Sequence, residues 1–173
     1  MSDSARRMQL SCGELREAFD RSFSSLPSPE RAGFENILGI HVANGSYALR
    51  LSEITSVMRS GTILPIPSKS GCLMGVIGIE GRVVPVFSLA LLLGYASPEK
   101  AEWLVLCGAK SIALCFGEME GYLQAPAADI PSDNTATPLG RHSRGSIKLG
   151  RGAATLIEVH SIVAEITDQG PSK

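Results

Sequence analysis

Two apolar runs joined by a Glu-Gly dipeptide, Gly75-Val76-Ile77-Gly78-Ile79-Glu80-Gly81-Arg82-Val83-Val84-Pro85-Val86-Phe87, lead into Ser88 and the helical turn Leu89 to Leu93. A polar-glycine pair between strand-like runs signals a two-residue β-hairpin, and a serine before a leucine-rich turn is a good N-cap acceptor. Seventy residues later a weaker copy follows without a gap. Gly75 matches Gly145, Ile77 matches Ile147, Ile79 matches Leu149, Ser88 matches Glu158, Leu89 matches Val159 and Leu92 matches Ile162. A repeat at fixed period means one supersecondary plan used twice, which restricts the fold to something duplicated.

The rest of the chain extends that plan. Ile37 to Ala43, the Asn44-Gly45 turn signal and Ser46 to Leu51 read as a hairpin, and Ile54 to Arg59 as a third strand before Gly75 to Ile79 and Arg82 to Phe87. Ile63-Leu-Pro-Ile-Pro67 is an extended connector, because proline cannot donate to a sheet. Trp103 to Cys107, Ser111 to Phe116, Met119 to Gln124, Ser146 to Leu149 and Ala154 to Glu158 repeat the order. Ser46-Tyr47-Ala48-Leu49 aligns with Ser111-Ile112-Ala113-Leu114 at an offset of sixty-five, as Glu53 does with Glu118. Five short strands make too small a sheet to bury both faces, and closing it removes its edges. The expected fold is all-β, with two small barrels meeting along one hydrophobic seam.

The composition agrees. Apolar residues make up 44% and mean hydropathy is +0.14, enough for a real core, but aromatics are only 5%, so burial rests on Leu, Ile and Val. A net charge of -1 supplies no basic field for nucleic acid. No signal peptide or membrane span is evident. Cys12, Cys72, Cys107 and Cys115 form no C-x-x-C pair and lie far from His41, His142 and His160, so neither metal nor cofactor is expected. Reduced thiols and a cytoplasmic location follow from the same reading.

Two segments stand outside the repeat. Residues 1–33 carry Leu15, Phe19 and Phe23 at helical spacing after a Ser11/Glu14 capping pair, then a Pro- and Ser-rich linker from Ser24 to Gly33. Ala125 to Gly145, holding Arg141, His142 and Arg144, reads as a solvated polar loop.

The order of elements and the quoted residues resemble the CheW-like coupling proteins of bacterial chemosensory systems, over roughly Ile37 to Ile166. The family's marker is similar to G-V-I-N-L-R-G-x-V-x-P-V-x-D-L, of which this chain keeps Gly75, Val76, Ile77, Gly81, Val84, Pro85, Val86 and Leu89. The marker Asn, Arg and Asp are here Gly78, Glu80 and Ser88, and the family's third-strand glutamate falls at Ser56. The second-half acid becomes Gly117, and Glu158 stands for the later one. The resemblance implies two intertwined five-stranded SH3-like barrels with short helices: an N-terminal helical tail and linker over 1–33, then a CheW-like domain over 34–173, with a first barrel at about 37–94 and a second at about 102–166.

It also implies a non-enzymatic adaptor that couples the cytoplasmic tips of chemoreceptors to the regulatory domain of a CheA-type histidine kinase, recruited to membrane-associated receptor arrays. By position, Ile54, Val57 and Met58 are candidates for an apolar groove that takes a receptor helix, and Gly75, Glu80, Gly81 and Arg82 for a hairpin that meets a partner. Loss of the marker arginine and its acid leaves a second reading, a diverged CheW-like competitor or an adaptor for surface motility or gene regulation. No phosphate loop, dinucleotide fingerprint or nucleophile elbow supports catalysis.

Overall fold

The computed structural model describes residues 33–98, 100–108, 112–130, 142–149 and 152–168. The expected tail helix over 1–33 and most of its linker lie outside them, as do Ser111 and Arg141.

The first half runs β1 (Phe34–Val42), β2 (Gly45–Arg50), a 3-10 turn (Leu51–Glu53), β3 (Ile54–Arg59), β4 (Leu73–Ile79), β5 (Arg82–Ser88) and the short helix α1 (Leu89–Leu92). The second runs β6 (Trp103–Cys107), β7 (Ile112–Phe116), β8 (Glu118–Pro126), a 3-10 turn (Ala127–Asp129), β9 (Ser143–Leu149), β10 (Gly152–Ile157) and α2 (Val159–Asp168). The expected strands are all present, with ends shifted by up to three residues.

These strands form two five-stranded sheets, ordered β8-β1-β2-β10-β9 and β3-β6-β7-β5-β4. Each order maps onto the other when the halves are exchanged. In the second sheet β5 runs parallel to β7, pairing Val86 with Ala113 and Phe87 with Leu114; in the first, β10 runs parallel to β2, pairing Leu156 with Ala48 and Ile157 with Leu49. The barrels are therefore shared between segments 37–94 and 102–166 rather than divided between them. Alanine serves at both parallel crossings, and Ala48 and Ala113 are wholly buried.

Strand alternation sorts the apolar residues into three clusters. Ile37, Ala48, Ile147 and Leu156 face the interior of the first sheet, and Ile77, Val84, Val86, Leu104 and Cys115 that of the second. The largest cluster lies between them, joining Leu38, Ile40 and Leu49 to Val105, Leu114 and Phe116 under α1 and the start of α2. That is the expected seam.

The duplicated hairpins share detail beyond sequence. Gly75 has φ +145° and Gly145 φ +115°, and each lies where its strand carries one extra residue against its partner. The Ser88 amide donates to the Cys72 carbonyl at 2.9 Å, and the Glu158 amide donates to the His142 carbonyl at 2.9 Å.

Two local expectations change. The β1–β2 loop is Ala43-Asn44, with Ala43 at φ 52°, and Gly45 already pairs with Val42. Gly45 is needed for space instead: a Cβ there would lie 2.7 Å from the Tyr47 ring and 2.9 Å from the Tyr95 hydroxyl. The segment read as a polar loop is strand at both ends, and His142 is buried, its Nδ1 3.0 Å from the Ser161 hydroxyl and its Nε2 3.0 Å from Glu165.

Candidate functional site: the first hairpin and the mouth of the seam

Glu80 and Gly81 form the β4–β5 turn with φ 50° and 76°, the left-handed pair that a two-residue hairpin with matching twist requires. Across the hairpin, Ile79 pairs with Arg82 and Ile77 with Val84, on the face that lines the second barrel. Gly78 pairs with Val83 and Val76 with Pro85, on the opposite face. A third segment joins that face, because Leu64 exchanges two backbone hydrogen bonds of 2.8 Å with Val76. Leu64 is 61% exposed, Ile66 44% and Val83 74%, and nothing lies within 4 Å of where a Gly78 Cβ would sit. The result is an apolar shelf open to solvent, with Glu80 and Gly81 at its tip.

Gly75 lies beneath this shelf. A Cβ there would collide with the Leu64 carbonyl, so glycine permits the connector to approach β4. Its close backbone neighbour is thus within the chain. Among the described residues, Glu80 has no hydrogen-bond or ion-pair partner, and both it and Arg82 are exposed.

The β3 candidates divide between faces. Ile54 and Val57 are half-buried against the seam, whereas Met58 packs against the interior of the second barrel. Arg59 of β3 reaches an open cleft. That cleft, about 590 Å³, lies at one mouth of the seam and is lined by His41, Arg59, Lys100, Glu102, Trp103, Glu118 and Met119. The Arg59 guanidinium lies 4.3 Å from the Trp103 ring centroid and 3.6 Å from Glu102, which also takes a 3.0 Å contact from Lys100. The hydrogen bond from Lys100 holds the Glu102 carboxyl below the usual carboxylate range. Cation–π stacking fixes Arg59 as part of the cleft wall. With both signs of charge and only Trp103 and Met119 as large apolar groups, the cleft suits a macromolecular surface better than a buried small ligand.

At the other end, the halves are tied electrostatically. Glu53 accepts the Val159 amide at 2.7 Å, and Arg50 bridges Glu53 at 3.5 Å and Glu35 at 2.8 Å. Arg144 bonds Glu158, and that hydrogen bond holds the Glu158 carboxyl below its usual range, with His160 assisting. Among the described residues no group of three or more His, Cys, Asp or Glu is arranged to hold a metal ion, and no helix is long and apolar enough to cross a membrane.

Sequence reasoning missed Leu64, Ile66 and Val83. The alternation of β5 marks Val83 as facing opposite to Val84, but whether that face is covered depends on the other sheet.

The CheW-like domain family matches residues 36–167, three quarters of the chain and all of the described strands but the start of β1. The chain belongs to the CheW-like family. It is 25% identical over 134 residues to the chemotaxis protein CheW of Thermotoga maritima, an alignment covering 76% of this chain and 89% of that protein. Its fold matches the crystal structure of the scaffolding protein TtCheW from Thermoanaerobacter tengcongensis with a TM-score of 0.66 at 17% identity, covering 74% of this chain and 91% of that one. The paired five-stranded sheets are the CheW-like architecture.

Proposed function

We propose that this CheW-like chain is a cytoplasmic adaptor that couples the signalling tip of chemoreceptors to the regulatory domain of a CheA-type histidine kinase at receptor arrays. The observation that supports this reading most is the apolar shelf of Leu64, Val76, Val83 and Pro85 beside the seam. A folded chain this small has no reason of stability to leave a valine 74% exposed on a sheet face, and such faces mark protein contacts. The shelf, with the half-buried Ile54 and Val57 of β3, is the proposed receptor surface. Glu80 and Gly81 border it at the hairpin tip, Arg82 lies beside them on the hairpin's other face, and Gly75 sets its shape from below. Met58 contributes only through the barrel that carries β3.

Calorimetric titration against the kinase regulatory domain and against receptor cytoplasmic fragments from the same genome tests the reading. Micromolar or tighter binding to both supports coupling. Binding to neither, by verifiably folded protein, favours the second reading, a diverged adaptor or competitor, which the exchange of the marker arginine for Glu80 also favours.

A further inference from the structure

The two halves provide an internal control for the shelf. By the seventy-residue offset, Val76, Gly78, Val83 and Pro85 correspond to Ser146, Lys148, Ala153 and Thr155, and the pairings agree: Gly78 with Val83 and Val76 with Pro85, then Lys148 with Ala153 and Ser146 with Thr155. The second hairpin thus meets the same pairing requirements with a polar, charged outer face. An apolar face on the first is therefore not a demand of the fold.

Three observations define what covers it. Leu64 already occupies part of the β4 edge, and Pro65 and Pro67 beside it have no amide to donate, so an added strand is disfavoured and a helix laid across the face is not. The gap at Gly78 leaves room for one bulky side chain. The charge beside the shelf is negative: Glu80 sits at the tip, whereas Arg82 pairs with Ile79 on the face toward the barrel interior. Glu80 holds φ 50°, a conformation a non-glycine residue adopts at a cost, although Gly, Asn or Asp would serve the turn better. Strain retained at an exposed, unpaired carboxylate points to a use for the carboxylate.

We infer that the outer face of the β4–β5 hairpin binds an amphipathic partner helix that carries a lysine or arginine beside its apolar ridge, with Glu80 as the selecting residue. This rests on the hairpin being a partner surface, as proposed above, and adds the charge of the partner. Among the described residues, α2 of a second copy fits poorly: Val159 to Asp168 contains Glu165 and Asp168 and no lysine or arginine.

The test uses the full chain and two synthetic helical peptides with one identical leucine ridge, flanked in one by lysines and in the other by glutamates. Affinities come from titration calorimetry and the contact site from amide chemical shifts. The expected result is tighter binding of the lysine peptide by roughly five- to tenfold at low ionic strength, narrowing with salt, with shifts centred on Leu64, Gly78 and Val83. Glu80→Gln should abolish the preference and Glu80→Arg invert it, while Val83→Asp weakens both peptides. Equal affinities, shifts centred elsewhere, or no binding of either peptide would overturn the inference. The peptides contain no receptor or kinase sequence, so their binding stands apart from whether the chain couples those two proteins.

Discussion

Gly75 and Leu64 touch so closely that the smallest side chain on the glycine would displace the leucine's carbonyl oxygen, which receives the Val76 amide. The contact fixes the connector of the shelf to β4. With φ +145° adding strain for any other residue, Gly75→Ala is expected to destabilise the protein by about 2–4 kcal/mol, read as a lower midpoint in urea unfolding. Gly78→Ala, with open space around it, should stay within about 0.5 kcal/mol.

Val83→Asp separates surface from core. At 74% exposure the residue contributes little burial, so the substituted protein should unfold within about 0.5 kcal/mol of the parent. Binding to a receptor fragment should weaken by about tenfold or more, as for a central apolar contact. A cooperative loss of fold would instead make Val83 structural.

Glu80→Asn should raise stability by about 0.5–1 kcal/mol, because asparagine tolerates the left-handed turn that glutamate endures at φ 50°. If binding falls in the same variant, activity and stability oppose each other at this position, as expected of a residue kept for recognition.

Acid should loosen the lock between β9 and α2. The bonded Arg144 depresses the Glu158 carboxyl in the folded state, so this group contributes stability above its unfolded pKa, about 4.3, and loses it as pH falls through the lower folded value. Glu158→Gln should therefore flatten the acid limb of a stability–pH profile and leave the neutral region comparatively unchanged in slope.

Burial pushes the Cys107 thiol up to about 12, with the nearby Glu53 adding to the effect. In a background with Cys12, Cys72 and Cys115 replaced by serine, Cys107 should therefore resist a maleimide at pH 8 for as long as the native state persists, and label on addition of denaturant. Rapid native labelling would show that the seam opens.

Much of this architecture was readable because period-two alternation and turn chemistry are local. The Glu80-Gly81 turn and the Ser88 cap, whose hydroxyl accepts the Leu91 amide at 3.4 Å, need only neighbouring residues. What escaped depends on residues distant in sequence. Gly75 answers to Leu64, Gly45 to Tyr95, and the α2 amide of Val159 to Glu53, 106 residues away. Gly45 reads as a turn residue because asparagine-glycine is a turn signal wherever it occurs, and no local pattern records the Tyr95 hydroxyl nearby. The polar segment around His142 reads as loop because nothing local to it signals Ser161 and Glu165 on α2. The resemblance places Ile54, Val57 and Met58 in one groove by position, but the register shift between Ile54 and Ser56 and the alternation beyond it send them to different clusters.

The exchange of hairpins between the sheets also bears on descent. Each half holds five strands, as many as one sheet, yet it gives two of them to one sheet and three to the other. A half-length chain that kept these pairings would trade its last three strands with a twin. The seventy-residue repeat has the form of such a pair joined in one polypeptide, and joining leaves the two outer hairpin faces free to differ, one polar and one apolar.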